Sequence, residues 1–153
     1  MNLVLWRHAE AHELSEGGND LDRALTPKGE KQAKRMGQWL DRQLPELARI
    51  LVSPARRTEQ TAMALGRKFK LRSELGPSGT VAQLLELVQW PDDKSTVLVI
   101  GHQPTLGHAI AQLLGLGASA FAVRRGAVWW LRSRERGSSL QTVVVTVQSP
   151  DVL

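Results

Sequence analysis

Leu3-Val4-Leu5-Trp6-Arg7-His8-Ala9-Glu10 is the stretch that decides the fold predicted for this chain. Its four leading apolar residues are too few for a helix and are typical of a short buried strand. An Arg and a His follow at once, and in an open α/β sheet the ligand crevice lies just past the carboxyl ends of the strands. We therefore expect Arg7 and His8 to face such a crevice.

Two further strands are predicted to end at the same edge of the sheet. Val97-Leu98-Val99-Ile100-Gly101-His102 repeats the apolar run that leads to a histidine, and Arg49-Ile50-Leu51-Val52 leads into Ser53-Pro54-Ala55-Arg56-Arg57. Adjacent residues do not share a helix face, so only one of Arg56 and Arg57 is expected to point inwards. Together the strand ends predict an anion pocket that contains a candidate nucleophile.

Helices are predicted between the strands. Thr26-Pro27 and Ser53-Pro54 each place an N-cap residue before a proline suited to the first helical position. The predicted strands lie at 3–6, 49–52, 71–75, 96–100, 120–123, 127–131 and 140–147. Helices are predicted after the N-caps Thr26 and Ser53, from Val81, and from Gln103-Pro104. Alternating strands and helices followed by a strand meander predict a three-layer α/β/α sandwich. Its central sheet is mostly parallel, with an antiparallel strand near the C-terminus.

Composition is that of a globular protein and excludes several kinds of site. The chain has 153 residues, of which 42% are hydrophobic, and residues 1–153 are expected to form one domain. It contains no Cys, which excludes a thiol nucleophile, thiolate metal ligands and disulfides. No apolar run reaches the length of a membrane span, and Arg7 interrupts the N-terminal run early, unlike a signal peptide. A cytoplasmic location without membrane association is expected.

Arginine dominates the positive charge. Lys and Arg number 20 against 15 Asp and Glu, which gives a net charge of +5, and 14 of the 20 are Arg. Because Arg makes planar, bidentate contacts with phosphate and carboxylate, this balance suits acidic substrates. Nucleic acid is a less favoured partner, since the sequence lacks interleaved aromatic and basic residues and any helix-turn-helix pattern. For the arginines outside the strand ends, the alternative interpretation is a basic surface that binds no ligand.

His8 is the candidate nucleophile. A neutral imidazole can attack phosphorus and form a phosphohistidine, which water then cleaves. Nearby arginines disfavour the imidazolium and should lower the pKa of His8. Arg7 and Arg57 would bind the phosphoryl oxygens, and a protonated His102 just before a helix N-terminus would be a further donor. For each histidine, a structural role such as a bond to the backbone is the alternative.

Four short motifs resemble those of the histidine phosphatase (phosphoglycerate mutase-like) superfamily. Arg7-His8-Ala9 resembles its Arg-His-Gly signature, and residues 25–33 resemble its Leu-Thr-x-x-Gly-x-x-Gln-Ala element. Residues 53–62 resemble its Ser-x-x-x-Arg-x-x-Gln-Thr-Ala element, and Gly101-His102 resembles its second histidine. The four motifs occur in the order found in the family.

This resemblance implies roles for individual residues. His8 would be the nucleophile, and the alignment gives the phosphate-binding role in the third motif to Arg57. The catalytic set that the resemblance implies is His8, His102, Arg7 and Arg57, of which the last three also bind substrate. Thr26, within the second motif, is a weaker candidate for substrate binding.

Within that superfamily the chain is similar to the short, SixA-type phosphohistidine phosphatases. Larger members carry a catalytic Glu after the third strand, whereas residues 75–81 here read Leu-Gly-Pro-Ser-Gly-Thr-Val and hold no carboxylate. A leaving nitrogen is readily protonated, so cleavage of a P–N bond depends less on a dedicated acid. The resemblance implies a metal-independent phosphatase, without cofactor, that forms a covalent phosphohistidine intermediate. Its expected substrate is phosphohistidine on a protein.

Other functions stay open at this point. The nearest is a phosphomonoesterase for small phosphorylated molecules, with Glu10, another acid of the polar loop 10–25, Glu74 or Glu86 as proton donor. That loop is expected to cover the mouth of the pocket. A more distant alternative is a non-catalytic module that binds phosphate or a phosphoprotein. A metallohydrolase built on the two histidines is disfavoured, because the arginines would repel a cation. The oligomeric state is not predicted.

Overall fold

A six-stranded mixed sheet is the centre of the fold. The computed structural model describes residues 1–117 and 119–153. The strands are β1 (Asn2–Arg7), β2 (Arg49–Val52), β3 (Lys70–Leu71), β4 (Thr96–Gly101), β5 (Val128–Arg136) and β6 (Ser139–Gln148). Their spatial order is β3-β2-β4-β1-β5-β6; the first four run parallel, and β5 is antiparallel to both β1 and β6. This topology confirms the predicted sheet.

The described residues also form four α-helices. They are α1 (Pro27–Gln43), α2 (Arg56–Met63), α3 (Val81–Val88) and α4 (Thr105–Leu113). Thr26 caps α1 as predicted, because its side chain accepts a hydrogen bond from the Gly29 N–H at 3.0 Å, and Pro27 is the first helical residue. In the described parts of the chain, no helix has both the length and the apolar character that crossing a bilayer requires.

Side chains that alternate along β1 build a core on each face of the sheet. Leu3 and Leu5 pack with residues of α3 and α4, whereas Val4 and Trp6 pack with residues of α1 and α2. All four side chains are 0% exposed, and burial of each stabilises the fold by about 1.5–3 kcal/mol. Helices cover both faces of the sheet, which confirms the predicted α/β/α arrangement and leaves the carboxyl ends of the strands for a ligand.

Two predicted strands are wrong. Residues 120–123 contain no strand, and two of their carbonyl groups accept hydrogen bonds from side chains instead of a neighbouring strand. The Arg7 Nη1 donates to the Val123 carbonyl at 2.9 Å, and the Gln103 Nε2 donates to the Phe121 carbonyl at 2.7 Å. The strand predicted at 71–75 is reduced to Lys70–Leu71, since a 3₁₀ turn at Ser73–Leu75 takes the chain away from β2.

The start of α2 also differs from the prediction. The helix begins at Arg56 with Ala55 as its N-cap residue, and no side chain caps it. Ser53, which the sequence predicted as the cap, has its hydroxyl oxygen 2.8 Å from the His102 ring. The Ser53 side chain therefore bonds the histidine that follows β4 and does not cap its own helix.

Candidate active site

The carboxyl ends of β1, β2 and β4 meet at one edge of the sheet and bring the predicted residues together. Arg7 pairs in register with Gly101, and the His8 N–H donates to the Gly101 carbonyl at 3.2 Å. The Ser53 N–H donates to another carbonyl of β4 at 3.1 Å. As a result the rings of His8 and His102 lie side by side, with centroids 5.4 Å apart.

A backbone carbonyl sets the tautomer of His8. The residue is 7% exposed, and its Nδ1 lies 2.7 Å from the Ala9 carbonyl oxygen. A carbonyl can only accept, so Nδ1 carries the hydrogen and Nε2 keeps its lone pair. Burial lowers the pKa of His8 to about 4 although the bond to Ala9 raises it, and three cations lower it further: Arg57, Arg7 and Arg23. The ring is therefore neutral at physiological pH and can act as a nucleophile through Nε2.

His102 is also held neutral. It is 4% exposed, and burial is the main cause that lowers its pKa to about 3. His8, Arg57 and Arg7 lower this pKa as well, whereas the Asp20 carboxylate raises it. A neutral imidazole carries one N–H, so in the free protein His102 can donate to a phosphoryl oxygen through a single nitrogen. The protonated form considered from the sequence is not the form that this environment favours.

The two site arginines hold buried donors without partners. Arg57 is 4% exposed and points inwards, whereas its neighbour Arg56 is exposed, so the two adjacent arginines lie on different helix faces as expected. The Nε atoms of Arg7 and Arg57 are buried and have no hydrogen-bond partner among the described residues. Leaving a buried N–H unpaired costs about 1–3 kcal/mol, and an anion between the two guanidinium groups would remove that cost.

One acid of the loop 10–25 lies at the site. The Arg57 Nη1 donates to the Asp20 carbonyl at 2.9 Å, and its Nη2 lies 3.1 Å from the Asp20 carboxylate. Arg23 bonds the second carboxylate oxygen at 3.0 Å, and hydrogen bonds from Arg23 and Arg57 keep the pKa of Asp20 low. The loop thus covers part of the site with an ionised carboxylate. From the sequence Asp20 was only one of several loop acids, although its i, i+3 spacing to Arg23 was a signal for an ion pair.

Thr26 and Glu10 bind each other. The Thr26 hydroxyl donates its one hydrogen to the Glu10 carboxylate at 2.7 Å, and its oxygen accepts a hydrogen bond from the Gly29 N–H. Glu10 also lies 3.6 Å from the Arg125 guanidinium. The structure therefore places Thr26 at the helix cap, and among the described residues neither side chain bonds any of the four predicted site residues.

The two candidate acids outside the loop, Glu74 and Glu86, line a cavity without His8 or His102 in its wall. Glu74 pairs with Arg72 at 2.7 Å, and Glu74 and Glu86 line a cavity of about 540 Å³ to which none of the four site residues contributes. Residues 1–117 and 119–153 hold no group of three or more His, Asp or Glu side chains placed to share a metal ion. The site places a neutral imidazole beside cationic hydrogen-bond donors, and this arrangement suits nucleophilic attack on a phosphoryl group.

Comparisons with known proteins point to one family. The model of the histidine phosphatase superfamily (branch 1) matches residues 3–78. The phosphohistidine phosphatase SixA homolog of Haemophilus influenzae is 32% identical over 130 residues, which cover 75% of this chain and 78% of that protein. The phosphohistidine phosphatase SixA of Escherichia coli is 34% identical over 121 residues, 74% of each chain. A solved structure of the protein histidine phosphatase SixA complexed with tungstate is similar with a TM-score of 0.83, at 28% identity and 99% coverage of both chains.

Proposed function

The chain belongs to the histidine phosphatase superfamily as a SixA-type hydrolase, and we propose that it hydrolyses the P–N bond of phosphohistidine carried on a protein. The observation that carries the proposal is the state of His8. Its Nδ1 bonds the Ala9 carbonyl at 2.7 Å, its pKa lies near 4, and the positive charges of Arg57, Arg7 and Arg23 act on its ring. The relatives named phosphohistidine phosphatases support the substrate class.

The first step transfers the phosphoryl group to the protein. The His8 Nε2 forms a bond to phosphorus while the P–N bond of the substrate breaks, and its electron pair stays on the leaving ring. When that ring is protonated at its other nitrogen, it leaves as neutral imidazole and needs no acid from the enzyme. Arg7 and Arg57 stabilise the charge on the phosphoryl oxygens through donors that are unpaired in the free protein.

The second step returns the enzyme to its starting state. Water attacks phosphorus, the bond between phosphorus and the His8 Nε2 breaks, and inorganic phosphate leaves after the water proton passes to solvent. Because the Ala9 carbonyl keeps a hydrogen on Nδ1, the phosphorylated ring is cationic and departs as neutral imidazole. One hydrogen bond thus serves both steps: it stabilises the imidazolium that forms and supplies a good leaving group.

A small phosphomonoester is the second candidate substrate. An alkoxide leaving group needs a proton donor, and the two loop acids described above, Asp20 and Glu10, are poorly suited to that role. Asp20 is held ionised by Arg23 and Arg57, and Glu10 is bound by Thr26. The geometry therefore favours the P–N substrate. The non-catalytic module considered from the sequence is set aside, because the chain is a hydrolase of this superfamily.

The test is phosphate release from a histidine-phosphorylated protein beside a panel of phosphomonoesters. We expect faster turnover of the P–N substrate and loss of turnover in His8→Ala. His12→Ala is the matched control, because His12 is an exposed histidine of the same loop region. Turnover of esters alone would contradict the proposed substrate and would direct the search for an acid back to the loop 10–25.

A further inference from the structure

We propose that Ser53 is a positioning residue, whose hydroxyl fixes the tautomer of His102 so that the ring offers Nδ1–H to the phosphoryl group. The inference rests on the proposed function, because it gives the His102 Nδ1–H a phosphoryl oxygen as its acceptor. Ser53 itself does not touch the substrate in this account. It acts through the ring that it bonds.

The first support is the rigid placement of Ser53 between β2 and α2. The residue is 0% exposed, and its N–H donates to the Ile100 carbonyl at 3.1 Å. Its carbonyl accepts a hydrogen bond from the Thr58 hydroxyl at 2.8 Å. These two bonds hold the backbone, and the hydroxyl oxygen then lies 2.8 Å from the His102 Nε2.

The second support is the fate of the single hydroxyl hydrogen of Ser53. Its oxygen accepts the Ala55 N–H at 3.3 Å, and the only described acceptor within hydrogen-bond distance of its own hydrogen is the His102 Nε2. If Nε2 carried a hydrogen, two N–H groups would face the oxygen and the hydroxyl hydrogen would be left buried and unpaired, which native structures avoid. The hydroxyl therefore donates to Nε2, and the ring hydrogen lies on Nδ1.

The third support is that, among the described residues, the His102 ring makes its one hydrogen bond through Nε2, which leaves Nδ1 without a partner. The neutral ring has one N–H, so the tautomer alone decides whether Nδ1 offers a donor or a lone pair. A lone pair there would repel a phosphoryl oxygen. His8 and His102 are thus held in complementary states: the Ala9 carbonyl leaves a lone pair on one ring, and the Ser53 hydroxyl leaves an N–H on the other.

The direct test is the ring ¹⁵N spectrum of the wild-type protein, with His102 assigned from the His102→Asn variant. We expect Nδ1 protonated and Nε2 unprotonated, and we expect the Nδ1–H resonance to shift when inorganic phosphate is added. In Ser53→Ala the Nδ1–H form should lose its preference, whereas Ser78→Ala, at an exposed serine, should leave the spectrum unchanged. An Nε2–H tautomer in the wild type, or a resonance that phosphate does not move, would overturn the inference.

Turnover supplies a second, separate readout. Ser53→Ala should lower kcat on a histidine-phosphorylated protein by up to about 100-fold, near the lower end of the loss for one removed transition-state donor, with little change in KM. Ser53→Thr, which keeps a hydroxyl, should restore part of kcat. Full activity of Ser53→Ala would overturn the positioning role. Absence of activity in the wild type would instead defeat the proposed function, and the spectra would still decide the tautomer.

Discussion

The Asp20 carboxylate lies 3.1 Å from the Arg57 Nη2, and the Asp20 carbonyl lies 2.9 Å from the Nη1 of the same guanidinium. An anion of the protein itself thus bonds both Nη atoms of the arginine that we propose binds the phosphoryl group, while its Nε has no partner among the described residues. Arg23 bonds the other carboxylate oxygen and steadies this arrangement. A phosphoryl group bonded to the Arg57 Nε lies near the Asp20 carboxylate and is repelled by it, so the carboxylate is a cost of binding.

Asp20→Asn should bind inorganic phosphate more tightly than the wild type. The Asp20 side chain is 55% exposed, and ion pairs with an exposed partner contribute about 0.2–1 kcal/mol, so we expect an increase of at most about fivefold. Inhibition of turnover by inorganic phosphate measures the affinity. Asp22→Asn is the matched control, an exposed acid of the same turn that makes no bond to Arg57. Weaker phosphate binding by Asp20→Asn would show that the carboxylate assists the anion.

The buried histidines should make the protein less stable in mild acid. The folded pKa values of His8 and His102, about 4 and 3, lie below the ordinary value of 6.5. The part of the free energy of unfolding that comes from the two neutral histidines is fully present above pH 6.5. It declines below pH 6.5 because the unfolded chain takes up protons that the folded protein does not, and it is lost once the pH falls below the folded pKa values. Urea unfolding between pH 7 and pH 4 measures the decline. The decline in the free energy of unfolding between pH 7 and pH 4 should be smaller in His102→Asn than in the wild type. An equal decline in the two proteins would contradict the account.

Arg57→Ala should lose turnover by a factor of about 10³–10⁵, the range seen when a transition-state arginine is removed. Arg56→Ala should stay near the wild-type rate, because Arg56 is exposed whereas Arg57 is 4% exposed. Steady-state rates of the two variants on the same phosphohistidine substrate provide the comparison. A larger loss in Arg56→Ala would mean that the assignment of the inward arginine is wrong.

Thr26→Ala should destabilise the fold by about 1 kcal/mol without a matching loss of turnover. Its hydroxyl caps α1 and bonds Glu10, and the loss of an N-cap costs about that amount. Denaturant unfolding and phosphate release are measured on the same sample. A loss of turnover with unchanged stability would return Thr26 to the substrate-binding residues.

Much of the fold and the clustering of the four proposed site residues follow from the sequence for a physical reason. Apolar runs bounded by helix caps give the order of strands and helices, and a parallel sheet brings its carboxyl ends to one edge. Arg7, His8 and His102 could therefore be placed together although the last is far away in sequence. For Arg57, the helix after β2 requires only that one of two adjacent arginines face inwards, and the resemblance to the family motif selects Arg57.

The remainder depends on contacts that no local pattern encodes. Ser53 precedes a proline and a helix, which is typical of an N-cap, yet its hydroxyl binds a ring 49 residues away. Asp20 lies in a loop without periodicity, and its partner Arg57 is 37 residues further on. Residues 120–123 are apolar enough for a strand, but the Val123 carbonyl is taken by Arg7. In each case a long-range side chain overrides the local preference.

The most direct test of the central claim is to look for the covalent intermediate on His8. The protein is mixed with a histidine-phosphorylated substrate, quenched in alkali within the first turnover, digested and analysed by mass spectrometry. We predict one acid-labile phosphoryl group on His8, absent from His8→Ala and present in His12→Ala. Turnover with no label on His8, or a label that persists elsewhere in His8→Ala together with full activity, would contradict the account.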